Sequence, residues 1–519
     1  MRATSRQLSV VACLFLSGTA AAEEPMSAID WLSKSVTTPS ALPRGSAAVG
    51  RPAPNEPPVT KGAAARPITT TTLDRINLDG LGLVPAGKSG LPSDLWGPAP
   101  PAEIVTAIRG AATDTVPAIQ ALLTTLMMTE ADPPQGPDAQ GTVFLARVDK
   151  LLDMGALDPA LEMLSLPATP QPEVFRRWFD VALLLGEEDH ACAQMRKTPQ
   201  IAPTFPARIF CVARGGDWNA AALSLRTGEA LGQIDPEMAA LLSRFLDPDL
   251  YEDEPPLPPP ARMSPLILRL LEAIGEPQPT VTLPVAFANA DLRPSTGWKS
   301  RIEAAERLAR TGALDPNALL GLYTEQEPAA SGGVWDRVRA WQEFDTALNG
   351  GHVNEVALAL PLVWDQLAGV ELEVPFATLY GERLAALDLS GDAGEIAFRV
   401  GLLSPAYEAI AKARTQAGPE EAFLAGLAQG RPVPPAPGQL GTAIVQGFAP
   451  NPEMPEDLLR LLQDKRTGEA ILRAADDVTN GARGDLRAVT SGLALLRKVG
   501  LEATARRAAL ELMLLERRG

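Results

Sequence analysis

Histidine is nearly missing from this chain: His190 and His352 are the only two among 519 residues. Catalysis by a histidine-activated nucleophile lacks support, because no G-x-S-x-G elbow accompanies either residue. His190 lies in "EEDHAC", where a metal site of Glu187, His190 and Cys192 is conceivable. Acids in the first turn of a surface helix explain the same residues more simply. Aromatic residues make up only 5% of the chain, and Ala, Leu, Gly and Pro dominate instead. That mixture suits close packing of helices better than β-sheets, which favour aromatic and β-branched side chains. Positive charge is also short, with 46 Lys and Arg against 63 Asp and Glu and a net charge of −17. A surface this acidic speaks against nucleic acid and anionic lipid as partners. No apolar run approaches the roughly 20 residues that cross a bilayer.

The N-terminus carries the most specific pattern. Arg2 and Arg6 precede the short apolar run "LSVVACLFLSG", and "TAAAEEP" follows with small residues. This is the pattern of a signal peptide over residues 1–22, cleaved after Ala22, which places the mature chain in the periplasm. Cys13 follows "VVA", a weak likeness to a lipoprotein box, but the apolar run continues beyond it. Cleavage leaves Cys192 and Cys211, and an even pair in an oxidising compartment is expected to bridge. The alternative is two buried reduced thiols.

Residues 23–100 read as a flexible Pro/Ala/Thr-rich arm, with the tether proper at 37–72. Three apolar islands interrupt it: "AIDWLSKSV" (28–36), "LDRINLDGLGLV" (73–84) and "LPSDLW" (91–96). Such islands dock either on the protein's own body or in a partner's groove. Trp178, Trp218, Trp335, Trp341 and Trp364 mostly sit in helical apolar patterns that suit a core. Trp31 and Trp96 have polar, Pro-rich neighbours. With Ile29, Leu32 and Leu95 they are the candidate anchors for a protein partner.

From residue 101 onward apolar residues recur at three- and four-residue spacing, in segments that stop at Gly, Pro or Asp-Pro. The fold class is all-α. An acidic, proline-rich break at 247–265 divides a first helical subdomain, 101–246, from a second, 266–519.

The pentapeptide "GALDP" occurs at Gly155–Pro159 and again at Gly312–Pro316. In each, the glycine can take the left-handed C′ position, the aspartate can cap the next helix, and the proline suits its first turn. "FDVAL" (179–183) and "FDTAL" (344–348) follow their respective copies in the same order. "RTGEAL" (226–231) and "RTGEAI" (466–471) offer a third helix–Gly–helix echo. Helical hairpins in series make an α-solenoid, and here the chain resembles tetratricopeptide- and Sel1-like repeat proteins. The resemblance spans 101–519 and is one of architecture, with its nearest local match at 493–514 around Gly500. It implies stacked hairpins and a concave surface that binds a segment of another protein.

No cofactor is implied. "GLVPAGKS" (82–89) fits the P-loop expression, yet Pro92 opposes the helix a P-loop must open, and no apolar strand precedes it. Some lytic transglycosylases set a catalytic domain on a helical solenoid, but their typical Glu-Ser pair has no counterpart here. The expectation is an exported, non-catalytic scaffold or adaptor for a cell-envelope protein. The alternative is a protein that binds or acts on peptidoglycan or another glycan.

Overall fold

Proline and glycine punctuate this chain, and the helix boundaries follow them. The computed structural model describes residues 29, 31–32, 77–136, 141–168, 171–415, 418–432 and 434–515. The expected leader, 1–22, and the expected tether, 37–72, lie outside the described residues.

Among the described residues the chain is all-helical, and an isolated bridge between Val84 and Thr129 is the only β-type pairing. A single helical turn, α1 (Ala86–Ser89), precedes α2 (Pro101–Gly110), α3 (Pro117–Met128), α4 (Thr142–Asp153) and α5 (Leu157–Leu164). Next come α6 (Pro172–Leu185), α7 (Glu188–Lys197), α8 (Phe205–Arg214), α9 (Trp218–Ala230), α10 (Pro236–Leu246) and α11 (Pro265–Ala273). The middle of the chain forms α12 (Ala288–Asp291), α13 (Trp298–Arg310), α14 (Pro316–Tyr323), α15 (Val334–Asn349), α16 (Val353–Ala368), α17 (Glu373–Ala385) and α18 (Gly391–Leu403). The remainder is α19 (Tyr407–Ala413), α20 (Pro419–Ala428), α21 (Gly438–Gly447), α22 (Glu456–Gln463), α23 (Thr467–Ala482), α24 (Leu486–Lys498) and α25 (Glu502–Leu514).

Consecutive helices pack pairwise across short turns, as in α15 with α16, α17 with α18 and α23 with α24. Their apolar faces fill three main cores. One lies among α6–α11 around Phe179, Phe210 and Leu242. Another lies among α13–α18 around Trp341, Phe344 and Phe376. The largest joins residues far apart in sequence, with Phe144 and Leu123 sharing it with Ile471, Leu493 and Leu510. Glu511 accepts from the Ala118 N–H at 2.7 Å and so satisfies an open donor at the start of α3. The Thr479 hydroxyl meets that of Thr115 at 2.7 Å. The expected divide at 247–265 falls within one core, since Leu257 and α11 pack against α6 and α10. That stretch crosses the surface as a strap, with Arg244 donating to the Pro255 carbonyl at 2.8 Å.

Residues 77–100, expected in a flexible arm, are built into the body instead. Asp79 is fully buried and accepts from the Phe144 N–H at 2.7 Å, supplying the cap that Gly141 cannot give α4. Arg147, also fully buried, donates to the carbonyls of Leu81 and Met127, each at 2.8 Å, and of Thr129 at 2.5 Å. Burial lowers its pKa to about 10, with Asp79 opposing the shift, so it stays charged at neutral pH.

The two "GALDP" turns touch one another. Gly155 and Gly312 both have positive φ, 77° and 72°. Thr311 donates to the Met154 carbonyl at 2.9 Å, and a Cβ on Gly155 would come within 3.0 Å of Leu308. Asp315 caps α14 as expected, accepting from Asn317 N at 2.8 Å. Asp158 does not cap α5. That helix starts at Leu157, whose side chain is drawn into the core, and Asp158 sits exposed in its first turn.

Candidate functional site

Among the helices that begin with proline in their first turn are α6 with Pro172, α8 with Pro206, α10 with Pro236 and α11 with Pro265. Thr204, Asp235 and Ser264 cap three of them through their side chains. Residues from all four starts border one groove of about 1090 Å³. Ile201, Phe205, Met238, Leu241, Leu257 and Ile267 give it apolar walls. Its charged groups are mixed, with Glu173, Asp235 and Glu237 beside Arg176, Arg208 and Arg262.

Buried ion pairs fix the wall. Arg177 is fully buried and grips both oxygens of Asp149 at 2.5 and 2.9 Å. It also donates to Glu173 at 3.0 Å, where Arg176 donates at 2.8 Å. Burial opposes the Arg177 charge, but Asp149 and Glu173 outweigh it and hold the guanidinium above its ordinary value. Glu188 on α7 accepts from Arg269 on α11 at 2.6 Å, which ties two helices across the same region. Cys192 and Cys211 stand at bonding distance with Cα atoms 4.9 Å apart, linking α7 to α8.

Trp31 and Leu32 line the groove at one end. Ile29, Trp31 and Leu32 are 6%, 6% and 4% exposed, and the Trp31 ring meets Phe287 edge-on at 5.4 Å. Leu95 and Trp96 are buried elsewhere, on the N-terminus of α23. There Gly468 donates its N–H to the Leu95 carbonyl at 2.7 Å, and a Cβ on Gly468 would come within 2.6 Å of the Trp96 ring. All five residues expected as anchors for a partner are thus buried within the chain itself. Their apolar surface is taken up by the chain's own body, because distant residues complete their pockets.

The remaining candidates separate as follows. His190 packs edge-on against Trp178 at 5.2 Å, while the Cys192 sulfur is committed to Cys211, so Glu187, His190 and Cys192 form no ligand set. Among the described residues, no group of three His, Cys, Asp or Glu side chains is placed to hold a metal. The P-loop-like stretch forms only the four-residue α1. Trp341 is a core residue at 0% exposure, whereas Trp218 stays 48% exposed on α9. No described helix is long and apolar enough to cross a membrane.

Sequence reasoning missed the groove. Its signal was present as capped, proline-led helix starts, but nothing periodic shows that four of them face one cleft. The described residues form an all-helical body with one apolar-walled groove. No family model, curated protein or solved structure matches the chain.

Proposed function

We propose that this chain is an exported, non-catalytic helical-repeat scaffold of the cell envelope, whose groove binds an extended segment of another envelope protein. One observation carries the reading: a groove of about 1090 Å³ has apolar walls from Ile201, Phe205, Met238 and Leu241, and the chain's own Trp31 and Leu32 complete one end of it. Proline-led helix starts with apolar walls and mixed charges at the edge give a ligand both burial and hydrogen-bonding partners. Pairwise packing of consecutive helices supports a tetratricopeptide- or Sel1-like arrangement. The basic, apolar and small-residue order of residues 1–22 supports export to the periplasm, and the Cys192–Cys211 pair fits an oxidising compartment.

The test is crosslinking in intact cells with wild type and Ile267→Arg, which sets a charge on the groove wall. A crosslinked partner lost in the variant, at unchanged melting temperature, is the expected result. Equal recovery from both would refute the groove as the binding site. A clearing band on a cell-wall zymogram would refute the non-catalytic part.

A further inference from the structure

We propose that the groove selects an acidic, apolar segment of another envelope protein, in which Asp or Glu flanks apolar side chains and pairs with Arg208 and Arg262. The inference rests on the groove being a peptide site and names the kind of peptide it takes.

At about 1090 Å³ the groove exceeds the range of about 300–1,000 Å³ usual for small-molecule sites, so it has room for a stretch of chain. Ile201, Phe205, Met238 and Leu241 offer that stretch apolar walls. Apolar walls alone discriminate poorly between one apolar segment and another, so selection falls to the charged groups around them.

Those groups are not equally available. Glu173 accepts from Arg176 at 2.8 Å and from Arg177 at 3.0 Å, and Arg177 also holds Asp149, so two acids and two arginines cancel. Asp235 accepts from the Met238 N–H at 2.8 Å as the cap of α10, and Glu237 stands in the first turn of the same helix. The positive end of α10 offsets both carboxylates. Arg208 and Arg262 have no such compensation. Both are exposed, and neither guanidinium has an ion pair or hydrogen bond among the described residues.

Their positions make the surplus larger. Arg208 is the fourth residue of α8, and Arg262 lies two residues before Ser264, the cap of α11. A cation at the start of a helix meets the helix's own partial positive charge, so it destabilises where an acid would stabilise. The helix α10 packs against both α8 and α11, which sets the two arginines on elements that flank it. Arg208 also lies inside the loop closed by Cys192–Cys211, which contributes the wall from Pro199 to Pro206.

In a chain with a net charge of −17, two uncompensated arginines at one cleft attract an acidic segment there while the rest of the surface repels it. Each guanidinium can donate two parallel N–H bonds to one carboxylate, which fixes the segment's register as well as its charge.

The test uses the full chain and three fluorescent peptides that share one Leu/Pro/Val core and carry Glu, Gln or Lys at the flanking positions. The Glu peptide should bind about tenfold more tightly than the Lys peptide, with Gln between them, and raised salt should narrow the gap. Arg208→Glu/Arg262→Glu, at unchanged melting temperature, should reverse the order. Should that variant fail to fold, Arg208→Gln/Arg262→Gln should bring the Glu and Lys peptides to equal affinity.

Equal or reversed preference in wild type would overturn the proposal, as would a preference for Glu that survives both double substitutions, or no binding by any peptide. Alginate displacing the Glu peptide more effectively than unlabelled peptide would overturn it in favour of an acidic glycan. If all three peptides bind alike and Ile267→Gln abolishes binding, this inference falls and the groove reading stands. If no peptide binds and the envelope crosslink is indifferent to Ile267→Arg, both fall.

Discussion

Arg147→Met removes one guanidinium from the middle of the largest core, and its cost can be worked from the contacts. Three strong bonds, to Leu81, Met127 and Thr129, come from a charged donor, with a longer fourth to Asp79 at 3.4 Å. Bonds of this kind contribute about 1.5–3 kcal/mol each, so the three supply about 5–9 kcal/mol. Burying the charge costs about 3 kcal/mol, the equivalent of lowering its pKa to about 10. The difference centres near 4 kcal/mol, within the range of about 3–5 kcal/mol seen when one partner of a buried charged network is removed. Arg147→Lys keeps the charge but lacks the planar fork, and should lose about half as much. Urea unfolding measures the loss, and hydrogen exchange locates it. Residues 78–84 and 129–131 should exchange faster, because Arg147 joins those two stretches. A loss below about 1 kcal/mol, or faster exchange spread evenly over the chain, would refute the account.

Gly468→Val forces a side chain into the Trp96 ring and should cost about 1–3 kcal/mol, with the excess relieved in the Gly468→Val/Trp96→Ala double variant. A fully additive double variant would count against the contact. Reducing Cys192–Cys211, or changing both to serine, should remove about 3 kcal/mol for a loop of this length, read as a lower melting temperature with reductant. Asp153, Glu272, Asp291, Asp476 and Asp477 are all held above ordinary carboxylate values, first by burial. Between those raised values and the unfolded ones, the folded chain binds more protons than the unfolded chain. Their contribution therefore grows as pH falls through the folded values, and levels off below the unfolded ones. Melting temperature should rise on mild acidification from neutral pH, and a steady fall over that interval would refute the assignment.

The helical class was legible because propensity and apolar spacing agree over nearly every segment from residue 101. Helix ends were less so, and two stretches that share RTGEA show why. In "RTGEAI" the glycine sits at the start of α23, where it makes room for Trp96. In "RTGEAL" the same glycine, Gly228, lies inside α9, pressed between Phe205 and Ile234 so that a Cβ would meet both within 2.6 Å. Local sequence is the same, and the neighbours that decide it are not local. Trp31 and Trp96 mislead for the same reason. Their sequence neighbours are polar, and the residues that bury them, Phe287 and Gly468, lie hundreds of positions away. The groove stayed hidden because its walls come from Trp31, Leu32 and residues scattered between Pro172 and Leu271.

The largest core also sets a schedule. Thr115 and Thr479, which share a buried hydrogen bond, are 364 residues apart. At about 5–20 residues per second, a ribosome needs on the order of tens of seconds to make the second after the first. Until then Ile104, Ile108 and Leu123 have no α23 or α25 to pack against. The helices made earliest therefore complete their packing only once α23 and α25 are in place.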